Sequence, residues 1–216
     1  FKKFSDAAFS TPRRLNAGSD AFAPGVAAVG EGFLAGWTEA DTVWVRAADG
    51  KSFSAPLRLS AHSADQLALA AIDSRSALAV WTETLAEGAT CIHAARLELN
   101  DAGVSAGRAF PVTDCAAQRH QTQPTLTVGP HGVLVAWQDR SSGTNSVYAS
   151  LAKDAGQFSA PVQINDTVQK SASYGSGSSA INPVVASSAE GYWLAWLDKR
   201  ADRAGYKIYS ARSRDG

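Results

Sequence analysis

Four carboxylates recur in one setting: Glu39, Glu83, Asp139 and Asp198 each stand two places after a Trp that closes an apolar run. Those runs end at Trp37, Trp81, Trp137 and Trp196. Four carboxylates converging on one axis would supply the oxygen ligands that a hard cation such as Ca²⁺ takes. The competing reading is that each acid ends its strand, caps the next turn, or pairs with a nearby base such as Arg140 or Arg200, at small energetic value. A second group is polar and variable in context. It comprises His62, His120 and, in a Ser- and Gly-rich stretch, Lys170 and Tyr174, side-chain types suited to adaptable ligand contacts. His62 and His120 also permit a His/carboxylate site, although no short-spaced ligand motif accompanies them.

The acids belong to a repeat. Five places before the four Trp residues sit Gly32, Ser76, Gly132 and Gly191; thirteen places before sit Pro24, Ala68, Pro124 and Pro183. After each acid a variable stretch leads to a β-branched residue and a ring, Val43-Trp44, Ile92-His93, Val147-Tyr148 and Ile208-Tyr209. Next come the turn signals Asp49-Gly50, Asp101-Ala102-Gly103, Asp154-Ala155-Gly156 and Asp215-Gly216, where Gly tolerates positive φ and Asp bonds locally. A fourth strand follows at Phe53-Ser54-Ala55-Pro56, Phe110-Pro111 and Phe158-Ser159-Ala160-Pro161, and its remaining copy is Phe9-Ser10-Thr11-Pro12. The period is that of a propeller blade. We therefore expect an all-β fold, a four-bladed β-propeller with four antiparallel strands per blade and the last blade closed by the N-terminal strand. A single domain over 1–216 is expected, with blades near 22–60, 65–114, 122–165, and 181–216 joined by 4–16. In the second blade Leu67, Ala70, Ala71 and Leu78 also suit a helical period, but their register with Trp81 argues for strands.

This framework assigns most of the remaining chemistry. Cys91 and Cys115 flank a hairpin centred at Gly103, so they face each other across the strands and are expected to form a structural disulfide. The four recurrent Trp side chains are expected between blades, His93 packed within its sheet, and Trp44 and Trp193 nearer the surface. Connections carrying His62, His120, Lys170 and Tyr174 emerge on one face around the channel, the face where an ion could also sit; no cofactor is required. Of the 216 residues, 45% are hydrophobic and 19% charged, and 20 basic side chains balance 20 acidic ones, which leaves no general footprint for nucleic acid. No apolar run reaches the roughly 18–20 residues of a membrane-spanning helix. The chain opens at Phe1 without Met, as expected of a processed chain, and a disulfide would suit a secreted, periplasmic or cell-surface protein.

The pattern Trp-x-Asp with a following Arg, then Val/Ile-Tyr, then Asp-x-Gly, resembles the sialidase-like propeller repeats of bacterial secreted proteins. It is clearest at Trp137-Gln138-Asp139-Arg140 with Val147-Tyr148, and at Trp196-Leu197-Asp198-Lys199-Arg200 with Ile208-Tyr209. The resemblance implies the propeller fold. The Asp-box of that family, Ser-x-Asp-x-Gly-x-x-Trp, is departed from at Asp154-Ala155-Gly156-Gln157-Phe158 in its Ser spacing and aromatic position. No catalytic triad, HExxH, P-loop or dinucleotide motif is present. The expectation is thus a secreted non-catalytic binding or scaffold module presenting loops to a protein or glycan, alone or as a subunit of a larger assembly, rather than an enzyme. The alternative is a sialidase-like glycoside hydrolase or lyase using Asp139 and Asp198.

Overall fold

The structure is a computed structural model that describes residues 11–18, 20–49, 51–115, 120–166, 179–200 and 205–214. Strand-forming runs fold into consecutive antiparallel sheets. The first blade contains β1 (Ala21–Val29), β2 (Gly32–Glu39), β3 (Thr42–Ala48) and β4 (Leu57–Arg58). The second contains β5 (Ala64–Ala71), β6 (Ser76–Thr84), β7 (Thr90–Asn100), β8 (Gly103–Ala106) and β9 (Phe110–Pro111). The third contains β10 (Gln121–Gly129), β11 (Gly132–Asp139), β12 (Ser146–Ala152) and β13 (Val162–Gln163), and the fourth β14 (Ala180–Ser188), β15 (Gly191–Asp198) and β16 (Lys207–Ser213). This is the expected four-bladed β-propeller. The helical period over Leu67 to Leu78 loses to the repeat, because these residues alternate between two apolar interfaces. Leu67 and Ala77 pack toward the first blade, Ala68 and Leu78 toward the third.

Each sheet is buried on both faces where it has neighbours on both sides, which explains its nearly unbroken apolar composition. Trp81, Trp137 and Trp196 stack on the ring directly opposite, His93, Tyr148 and Tyr209, at 6.3–6.4 Å between centroids. His93 is therefore a packing residue. The second blade departs from the repeat. β7 is long enough to pair with both β8 and β9, so the hairpin at Gly103 adds a short strand before the expected one at Phe110. Cys91 and Cys115 are joined by a disulfide across a Cα separation of 5.5 Å.

The innermost strands pack in succession, β1 on β5, β5 on β10 and β10 on β14, and no comparable packing joins β14 to β1 among the described residues. Blade four consequently shows a face that the other blades bury. Ile208 is 77% exposed, whereas its equivalents Val43, Ile92 and Val147 are all at 0%. Trp193 is likewise exposed where Leu34, Leu78 and Leu134 are buried. Of the anticipated closing strand, Phe9 and Ser10 lie outside the described residues. Thr11 and Pro12 form no strand, and the chain just after them lies against the first blade, where Arg13 donates to the Lys51 carbonyl and sits 4.8 Å over the Phe53 ring.

Candidate functional site at the loop-bearing end of the blades

Among the described residues, no converging trio of potential metal ligands includes any of the four recurrent acids. They latch their own blades. The indole N–H of Trp37 donates to Glu39 at 3.0 Å, that of Trp81 to Glu83 at 2.8 Å, and that of Trp196 to Asp198 at 3.2 Å. Asp198 also receives the Arg200 guanidinium at 2.7 Å, and this carboxylate holds the Arg200 pKa above its ordinary value. Asp139 is turned instead toward Gln121 Nε2 at 3.2 Å and the Ser141 N–H at 2.7 Å, leaving the Trp137 indole N–H unpartnered. A short Asp side chain engaged by these donors does not also satisfy the Trp. Asp139 and Asp198 are both buried; Asp198 makes its bonds through Oδ2, while its Oδ1 is buried without a partner among the described residues.

Among the described residues the one trio that does converge is Cys91, His93 and Cys115, and two of its three sulfur and nitrogen donors are consumed by the disulfide. His62 is exposed on the connection leading into β5. Lys170 and Tyr174 lie outside the described residues. His120 does line a cleft, described below.

The inner strands carry a feature that the sequence reading missed. Each has a register shift, and the residue at it adopts positive φ: Ala23 (50°), Gln66 (59°), Gln123 (53°) and Asn182 (52°). Such conformations in non-glycine residues cost on the order of 1–3 kcal/mol unless the surroundings hold them. Here an amide belt does so. Gln66 Oε1 accepts the Gln123 N–H of the next blade at 2.7 Å and the Thr82 hydroxyl at 2.9 Å; Gln123 Oε1 accepts the Asn182 N–H at 3.2 Å. Immediately before Gln66 stands Asp65, half-buried, the sole acidic side chain on the four inner strands. Its Oδ1 accepts the Gln66 N–H at 2.5 Å. Asp41, exposed in the turn between β2 and β3 and itself at φ 55°, accepts the Ala64 N–H on its carbonyl at 2.9 Å. Asp41 is thus tied through its backbone to Ala64, the residue before Asp65, at the loop-bearing end of the first two blades.

The third blade adds a polar cleft of about 770 Å³ at the same end, lined among others by Thr90, His120, Thr122, Gln138, Arg140 and Asn145. Its frame is rigidly bonded. Arg140 N–H donates to the His120 carbonyl at 3.0 Å and His120 N–H to Ser141 Oγ at 3.3 Å, so the two basic side chains leave adjacent backbone. Asn145 is fixed by Gln138 Nε2 at 3.2 Å and by its own donation to Ser179 Oγ at 3.1 Å.

The class defined here is an all-β propeller with a polar, carboxylate-bearing end, and comparison with known proteins bears on its fold. No family model matches the chain, and no curated protein matches it. Among solved structures it is similar to an endo-arabinase from Bacteroides thetaiotaomicron at TM-score 0.57 and 11% identity, covering 89% of this chain and 75% of that one. It is also similar to an α-L-arabinofuranosidase from Fusarium graminearum at TM-score 0.55 and 13% identity, covering 89% and 62%. A third, described as a glycoside hydrolase, matches at TM-score 0.56 and 13% identity, with 91% of this chain and 48% of that chain covered. At these identities the likeness is one of fold, and this chain spans about half to three quarters of the length of these structures. The finding corrects two expectations. These neighbours are described as an endo-arabinase, an arabinofuranosidase and a glycoside hydrolase, not as sialidases, and the expected non-catalytic module is contradicted by this likeness, since the fold it shares is one that these glycoside hydrolases have. The absence of a triad or HExxH motif weighs nothing against such an enzyme, since two carboxylates from separate strands suffice for glycoside hydrolysis and leave no short signature.

Proposed function

We propose that this chain hydrolyses glycosidic bonds of arabinan- or xylan-type polysaccharides at the loop-bearing end of its blades, in an extracytoplasmic setting. The observation that carries the reading is Asp65, the one acid on the inner strands, next to the left-handed bulge residue Gln66 and to Ala64, whose N–H the Asp41 carbonyl accepts. The similar solved structures supply the substrate class: an endo-arabinase, an arabinofuranosidase and, at TM-score 0.50 and 11% identity over 90% of this chain and 72% of the other, an endo-1,4-β-xylanase. One carboxylic acid protonates the departing glycosidic oxygen as the C–O bond breaks, while the other carboxylate either attacks the anomeric carbon or takes a proton from the attacking water. We assign this pair to Asp65 and Asp41. The Cys91–Cys115 disulfide supports the extracytoplasmic setting, because such bonds persist in oxidising compartments.

Release of reducing ends from arabinan and xylan tests the reading. Wild-type protein should turn over at least one polymer, and Asp65→Asn and Asp41→Asn should each lower the rate about 100-fold or more with an unchanged circular dichroism spectrum. Absence of wild-type turnover, or full activity in the folded Asp65→Asn variant, overturns it.

A further inference from the structure

We propose that the third-blade cleft is a subsite for an anionic sugar, reading a negatively charged substituent, carboxylate or sulfate ester, on the glycan that the neighbouring carboxylates would cleave; this rests on the hydrolase reading above. The argument begins with charge. Arg140 and His120 project from backbone positions tied together at 3.0 Å, and none of the residues lining the cleft is acidic. The nearest acid in sequence, Asp139, is buried and engaged by Gln121 and Ser141. Among the described residues no carboxylate pairs with Arg140, whereas Arg200, one place further along the repeat in the fourth blade, is neutralised by Asp198 and Asp166.

Geometry completes the site. A guanidinium presents parallel N–H donors that match the oxygens of a carboxylate or sulfate, and its fixed charge makes it a durable anion reader. Around it Gln138, Asn145, Thr122 and Thr90 provide amide and hydroxyl groups of the kind that hydrogen-bond sugar hydroxyls. The turn carrying Arg140 is fixed before any ligand arrives: Gly143 N–H donates to the Arg140 carbonyl at 2.9 Å, and Asn145 is bonded to the fourth blade. Such preorganisation reduces the ordering that binding would otherwise require. The cleft is also coupled to the carboxylate end, because Gln123, adjacent to Thr122, is the residue whose N–H bonds Gln66 beside Asp65.

Affinity electrophoresis with three polymers tests the assignment: polygalacturonate for carboxylate, carrageenan for sulfate ester, and debranched arabinan as the neutral control. An anionic polymer should retard the wild-type protein more strongly than arabinan, and Arg140→Ala should weaken that retardation about 10-fold while leaving arabinan binding and circular dichroism unchanged. The stronger of the two anionic responses identifies the substituent. Equal retardation by all three polymers, no retardation by either anionic one, or an Arg140→Ala protein that binds as wild type overturns the proposal. The two readings fail separately: arabinan hydrolysis with no anionic preference removes only the subsite, and anion-specific binding without turnover removes only the hydrolase.

Discussion

At the scale of single residues, the acids that recur with the repeat hold the fold and the acid that breaks it carries the proposed chemistry. Glu39, Glu83 and Asp198 bond the indole of their own blade, and Asp139 is held by Gln121. Gln121 is 2% exposed and joins three partners: its Oε1 accepts from Thr113 at 2.7 Å and from the Ile92 N–H at 3.4 Å, and its Nε2 donates to Asp139. Gln121→Ala strands these buried groups, so urea denaturation should show a loss of about 2–3 kcal/mol; a change under about 0.5 kcal/mol would contradict the hub. The Trp-x-acid spacing was legible because every blade needs it. Asp65 was not, since Phe22, Thr122 and Ile181 occupy its place in the other blades. A search for shared offsets selects the scaffold and passes over the site.

At the scale of elements, the strands and their register followed from period and turn chemistry. Two of the expected turn signals are held by their own Asp, while the turn at Gly103 is held by Asn100, which accepts the Ala102 N–H. Asp154 accepts the Gly156 N–H, Asp49 accepts the Ser52 and Lys51 N–H groups, and at a further turn Asp73 bonds the Ser76 hydroxyl and the Arg75 N–H. These bonds lower all three carboxyl pKa values below the ordinary 3.8. A carboxylate whose folded pKa is depressed stabilises the fold fully above its unfolded value and loses that contribution as pH falls through the folded one. Thermal midpoints should therefore hold down to about pH 5 and fall below pH 4, and Asp73→Asn should flatten that acid limb. An acid limb unchanged in Asp73→Asn would contradict the assignment. The bulges of β1, β5, β10 and β14 were not legible, because the backbone reversal at Gln66 or Gln123 depends on a bond to the next blade rather than on local propensity.

At the scale of the molecule, the propeller is packed at three junctions, and among the described residues no comparable packing forms the fourth. The equivalence of Ile92 and Ile208 isolates that difference, since both follow the same repeat position while one is sealed and the other exposed. Ile92→Asp buries an uncompensated charge and should abolish folding, whereas Ile208→Asp should shift stability by no more than about 0.5 kcal/mol. Comparable losses in the two variants would mean that the fourth junction is closed. Of the closing strand expected from the repeat arithmetic, Phe9-Ser10-Thr11-Pro12, the first two residues lie outside the described residues and the last two form no strand. The loop-bearing end stays common to all four blades, and there Asp65, Asp41 and the Arg140 cleft lie on consecutive blades.

The central claim, glycosidic bond cleavage dependent on Asp65, is tested most directly by following the anomeric protons of arabino- and xylo-oligosaccharides by proton NMR. The account predicts new reducing-end resonances that grow with wild-type protein and are absent with the folded Asp65→Asn variant. Spectra unchanged by wild-type protein, or equal growth with the variant, would contradict it.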